Sequence, residues 1–182
     1  MDYSIPRNKD DKVKRNKLLN ETFFIKEKKL SDERGNLKIL LDERNLQNFS
    51  VKQVLQSYNL KKGTVRGLHY QSPTKQAKII KVLKGKIYDV FVNIDQNSRD
   101  FGKYGYAYLS DTDDKSLFIS NKYAHGFQSL SDNTTVLYFL DNNYSQKNSK
   151  TILYDDKTIS IDWPLKVTSI STKDQKGKLF NK

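Results

Sequence analysis

At 182 residues the chain is long enough for one domain with a proper core and too short for two comfortable ones. It contains no cysteine, which removes disulfides, thiolate metal sites and cysteine nucleophiles, and which suits an intracellular, cytoplasmic protein. The formal charge of +12 raises the question of nucleic acid, but six of the 33 basic residues are arginine and the lysines are scattered along the whole length. With neither a recognition helix nor aromatics at stacking intervals, no nucleic-acid partner is expected.

Residues 1 to 20 are rich in Lys, Asp and Asn with little periodicity, so a basic N-terminal arm is expected there, mobile or forming one extended strand. Its polar character excludes a signal peptide, and no apolar run in the chain is long enough to span a membrane. From residue 21 to 182 a single domain is expected. β-prone runs follow at short intervals: "ETFFIKEKKLSDERGNLKILL", "TVRGLHYQ", "KQAKIIKVLKGKIYDVFVNI", "YGYAYLS", "SLFIS", "GFQSLS" and "TTVLYFLDNNY". They are divided by turn chemistry at "ERGN", "SPT", "KGK", "DQNSRDFG", "SDTDD" and "LSDN". Only "DERNLQNFSVKQVLQ", residues 42–56, is long enough for a helix, and Ser50 and Val51 make it irregular. Many short strands without alternating helices predict an all-β domain, a jelly roll, sandwich or small β-barrel with short flanking helices.

The stretch "GTVRGLHYQ", residues 63–71, is unusual for a strand. Strict alternation would place Arg66 and His69 on opposite faces. A glycine inside a strand often marks a bulge, and one extra residue at Gly67 would turn both side chains toward the same side, aiming a permanent cation and a titratable base into one cavity. The competing expectation is an edge strand with Arg66 in solvent and His69 a satisfied polar residue. In "TTVLYFL" the positions Thr134, Val136, Tyr138 and Leu140 share a face, and in "KQAKIIKV" Lys78 shares one with Ile80 and Val82. A lysine with apolar face-mates either snorkels from a rim or sits in a pocket. The two histidines, 69 and 125, lie in different motifs, too few and too far apart for the usual metal-ligand set, so proton chemistry without metal or other cofactor is expected. Neither a Gly-rich phosphate loop after a strand nor a G-x-S-x-G nucleophile is present.

In order along the chain, "DERG" (32–35), "GTVRGLHYQ" (63–71), "KQAKIIKVLKGKIYDVFVNI" (75–94), "SRDFG" (98–102), "NKYAHGF" (121–127), "VLYFLDNNY" (136–144) and "DDKTISIDWP" (155–164) resemble the dTDP-4-dehydrorhamnose 3,5-epimerase family. The resemblance implies a cupin-type jelly roll, a homodimer whose N-terminal strands cross to the partner, and a nucleotide-linked 4-keto-6-deoxy sugar as substrate, in the synthesis of deoxysugars for surface polysaccharides such as lipopolysaccharide. A 4-keto group acidifies the hydrogens on C3 and C5, because the carbanion delocalises onto the ketone oxygen as an enolate. Inversion then needs a base on one face and an acid on the other. By resemblance His69 is the proton acceptor, Tyr138 the donor across the ring, and Lys78 the group that stabilises the enolate oxygen. Asp174 is implied as the carboxylate that orients the imidazole, with Lys173 beside it for the substrate. Arg34, Gln53, Arg66 and His125 fall on family positions that meet the nucleotide-sugar, and Tyr144 on the position that stacks an aromatic on the base.

Three positions depart from the family pattern. Ile39 and Ser149 stand where glutamates are common, and Leu55 where an asparagine is expected, which leaves the proton machinery intact and puts thymidine recognition in question. Two alternatives therefore stand beside the 3,5-epimerase: an enzyme acting at C3 only or C5 only on another nucleotide sugar, and a noncatalytic cupin that binds one.

Overall fold

The computed structural model describes residues 16–42, 44, 46 and 48–181, so positions 1–15 of the expected basic arm lie outside the described residues. Twelve strands and one short helix follow in chain order: β1 (Thr22–Lys26), β2 (Lys28–Asp32), β3 (Gly35–Ile39), β4 (Gln53–Asn59), β5 (Val65–Gln71), β6 (Lys78–Lys84), β7 (Lys86–Asn93), β8 (Tyr104–Ser110), β9 (Lys115–Ile119), β10 (Tyr123–Ser129), β11 (Thr134–Leu140), β12 (Ser149–Thr151) and α1 (Thr172–Gln175). The expected all-β class is the observed one. Two five-stranded antiparallel sheets, ordered β1-β9-β6-β11-β4 and β12-β5-β10-β7-β8, form the two layers, and β2 and β3 make a separate hairpin.

Period-two alternation sorts the side chains into three apolar layers. Between the sheets, Ile80, Val82 and Val136 of one meet Ile87, Phe91 and Phe127 of the other. Each such side chain, moved from water to this interior, contributes about 1.5–3 kcal/mol. The outer face of the β5-bearing sheet is covered by the C-terminal segment, where Ile152, Ile159 and Phe180 pack on Leu68, Tyr88 and Val90. The buried Asp156 ties that segment down, its carboxylate accepting the N–H groups of Thr158, Ile159 and Phe180 at 2.8, 3.1 and 2.7 Å.

The third layer corrects the helix expected over 42–56. Phe49, with Leu41, Leu46 and Val51 around it, lies against Ile79, Phe118 and Phe139 on the outer face of the other sheet, and no α-helix forms among the described residues of this stretch. Asn48 takes a left-handed φ of 59°, which ends any helical run. From Gln53 onward the chain pairs residue by residue with β11, so the stretch is a covering loop followed by an edge strand.

Candidate active site

β5 and β10 pair so that His69 lies opposite His125, while Arg66 lies opposite Phe127. Two steps along β10 thus face three along β5, and the extra residue is the bulge expected at Gly67. Gly67 has φ +107°, and a Cβ there would come within 2.6 Å of both Gly126 Cα and His125 O, so the two backbones approach as only glycine permits. The bulge brings Arg66 and His69 into the lining of one cavity of about 320 Å³.

That cavity opens between the sheets. His69, Arg66 and His125 reach it from β5 and β10 of one sheet, Lys78 and Tyr138 from β6 and β11 of the other, and Tyr144 and Lys173 from loop and tail. Asp174 stands behind His69, its Oδ1 2.7 Å from Nε2. It is placed there by α1, whose N-cap Ser171 accepts the Asp174 N–H, and by the Gly67 N–H, which donates to Oδ2 at 3.2 Å. Burial works to raise the Asp174 carboxyl, but the His69 hydrogen bond, the His69 charge and the Gly67 N–H outweigh it and hold the carboxyl below its ordinary value. An ionised Asp174 fixes the imidazole and leaves its other nitrogen for a substrate.

On the opposed side, burial pushes the Tyr138 phenol up, against a Ser57 hydrogen bond and the Arg66 charge, so the hydroxyl keeps its proton at neutral pH and is able to donate it. Burial lowers Lys78 to about 8, with Asp141 and Asp89 opposing the shift. Among the described residues no carboxylate lines the cavity, whereas Arg66, Lys78 and Lys173 do, an arrangement that favours an anionic ligand.

Two other candidates are placed differently. Gln53 does not line the cavity; its Oε1 accepts the Tyr144 N–H at 2.8 Å, and with Gln71, whose Oε1 accepts the Ser145 N–H at 2.6 Å, it holds the loop that presents the half-exposed Tyr144 ring. Arg34 lies in the turn of the β2–β3 hairpin, solvent-exposed and paired with Asp32 at 2.7 Å, apart from the cavity of its own chain. Of the departing positions, Leu55 and Ser149 line the cavity, and Ser149 Oγ accepts from Lys173 Nζ at 3.1 Å.

Sequence reasoning missed Asp89. It lies on β7 at the same parity as Ile87 and Phe91 and opposite Phe127 of β10, fully buried, and Oδ2 is 2.8 Å from His125 Nε2. A lone acid at the inward parity of "KIYDVFVN" was the available signal. Burial lowers His125 and raises Asp89, each against the other's pull.

A site of this make-up, in a jelly roll of this topology, can be set beside known proteins. The family model described as dTDP-4-dehydrorhamnose 3,5-epimerase matches residues 16–182. The chain belongs to that family. It is 34% identical to the dTDP-4-dehydrorhamnose 3,5-epimerase of Methanothermobacter thermautotrophicus over 88% of this chain and 90% of the relative. The Shigella flexneri epimerase is 40% identical over 65% of this chain, and the match spans 66% of its length, just under two thirds. Among solved structures, the Legionella pneumophila dTDP-6-deoxy-D-glucose-3,5-epimerase, in complex with dTDP-4-keto-L-rhamnose, superposes with a TM-score of 0.84 at 34% identity, covering 90% of each chain. The epimerase-family jelly roll is thus shared over almost the whole described chain.

Proposed function

We propose that this epimerase-family chain inverts C3 and C5 of a nucleotide-linked 4-keto-6-deoxy sugar through an enolate. The observation that carries the reading is a base and an acid entering one cation-lined cavity from opposite sheets: His69, backed by Asp174, and Tyr138. His69 removes the proton beside the ketone, the electron pair moves onto the ketone oxygen beside the Lys78 ammonium, and Tyr138 returns a proton to the opposite face. Arg66 and Lys173 suit the diphosphate and Tyr144 the base. The complex of the Legionella relative with dTDP-4-keto-L-rhamnose supports this substrate class.

The partner is a second copy. The β2–β3 hairpin exposes Leu30 and Leu37, which pair with each other, and Ile39 at its end, at 50, 66 and 37%. A two-stranded ribbon with that much apolar surface is marginal alone. Crossing to a partner would bury it and carry Arg34 toward the partner's cavity. A nucleotide-sugar substrate supports a role in the cytoplasm, in the supply of deoxysugars for surface polysaccharides.

The test is incubation in D2O with dTDP-, GDP- and CDP-linked 4-keto-6-deoxy sugars, following the C3 and C5 protons by NMR. Deuterium at both carbons with one donor is expected. Label at one carbon alone would make the protein a C3-only or C5-only enzyme, and none with any donor would leave a binding protein.

A further inference from the structure

Arg34 and Arg44 each close on a carboxylate of their own turn, Asp32 at 2.7 Å and Asp42 at 2.6 Å. Arg66, in the cavity wall, is held differently. Its Nε donates to Asn59 Oδ1 at 2.7 Å and its Nη2 to the Tyr58 carbonyl at 3.1 Å, and among the described residues it makes no ion pair. Neutral acceptors thus fix the guanidinium without cancelling its charge. These bonds occupy one edge of the planar fork and leave the end-on edge, carried by Nη1 and Nη2, for a ligand.

The side chain that sets this orientation is itself immobile. Asn59 is 1% exposed and ends β4, where it pairs with Thr134 of β11. Its Nδ2 donates to the Thr134 carbonyl at 3.1 Å and to Ser57 Oγ at 3.3 Å. A carbonyl oxygen only accepts, so the amide sits one way round, with Oδ1 turned to Arg66. A buried amide costs desolvation unless its polar atoms are used, and here both are. Arg66 belongs to β5 of one sheet and Asn59 to β4 of the other, so the bond ties the two sheets beside the cavity that Arg66 lines.

We infer that Asn59 is a positioning residue for the substrate's diphosphate: it holds the Arg66 guanidinium by one edge, with its charge intact, so that the end-on edge meets the diphosphate oxygens already ordered. An arginine free to rotate has to be immobilised on binding, and Asn59 removes that cost in advance. The inference rests on the nucleotide-sugar reading for the diphosphate, but the anion site exists without catalysis and is probed with inorganic pyrophosphate. Its binding is measured by titration calorimetry in the wild type, Asn59→Ala, Arg66→Ala and the double variant. Arg66→Ala should weaken it roughly thirtyfold and Asn59→Ala about fivefold. In the Arg66→Ala background Asn59→Ala should cost nothing more, because it acts only through Arg66. In C3 and C5 exchange, Asn59→Ala should raise KM about fivefold and leave kcat within about twofold.

Wild-type pyrophosphate affinity in a folded Asn59→Ala overturns the inference, as does a loss of equal size in both backgrounds, which a general loosening of β4 would give. A wild type that does not bind pyrophosphate, or a variant that loses kcat with KM unchanged, overturns it too. If Asn59→Ala does not fold, Asn59→Ser is read in the same way; failure of both to fold assigns Asn59 to structure alone and also overturns it. The expected pyrophosphate pattern without deuterium exchange into any sugar would defeat the epimerase reading instead and leave the positioning of Arg66 standing.

Discussion

Two histidines on neighbouring strands each meet a carboxylate through Nε2, at 2.7 and 2.8 Å, yet the two pairs sit in different media. The His69 side chain is 39% exposed and its partner Asp174 comes from the tail, whereas the His125 side chain is 6% exposed and its partner Asp89 comes from a central strand. A base must gain and lose a proton within one turnover, which a half-open imidazole backed by a depressed carboxyl does readily. A wholly buried imidazole pays desolvation to become charged, so His125 serves better as a fixed neutral dipole at the cavity wall. On the proposed mechanism, burial alone makes the same residue pair a proton carrier in one place and a fixture in the other.

The sharpest way to break that comparison is to remove each imidazole in turn. His69→Ala should cut C3 and C5 exchange by about a thousandfold with the melting temperature little changed. His125→Ala should lose far less in the proton-transfer step, and equal losses in the two variants would end the division of labour. Tyr138→Phe keeps the ring and removes the acid, and should slow inversion about a hundredfold while leaving exchange at the His69 face measurable by NMR. Gly67→Ala acts on both pairs together. A Cβ at 2.6 Å from the β10 backbone forces β5 and β10 apart, so a stability loss of about 2–3 kcal/mol is expected in urea unfolding, with the exchange rate falling alongside.

How much of this was legible in the sequence differs between the two pairs. The Gly67 bulge could be read because alternation fails there visibly: Arg66 and His69 cannot share a face without one extra residue. The faces of Lys78 and Tyr138 followed from strand parity in the same way. Asp174 could be tied to His69 only through the family resemblance, since 105 residues separate them and the link is made by packing of the tail. Asp89 carried a local signal, one acid at an inward position, but its partner is on a strand 36 residues away. The helix expected over 42–56 failed because Leu46, Phe49 and Val51 are recruited by the outer face of a sheet, a tertiary demand that local spacing does not contain. Arg34 was readable as a turn residue, while its distance from its own chain's cavity depends on where the hairpin projects.

That hairpin gives the smallest of the expected effects and the one that reaches beyond a single chain. Arg34 is exposed and, among the described residues, paired only with Asp32, so Arg34→Ala should leave folding untouched, and if the hairpin serves a partner's cavity it should raise KM about tenfold through a lost diphosphate contact. Mixing subunits separates the two chains. Arg34→Ala and His69→Ala proteins, unfolded together and refolded, would form mixed dimers in which one cavity carries both defects and the other neither. About a quarter of all cavities would then be intact, and activity at low substrate would rise above the sum of the two parents. If Arg34 instead acts within its own chain, every cavity keeps one defect and mixing gains nothing. The hairpin would then have to meet substrate by folding back over its own cavity, and the exposed Leu30 and Leu37 would need another explanation.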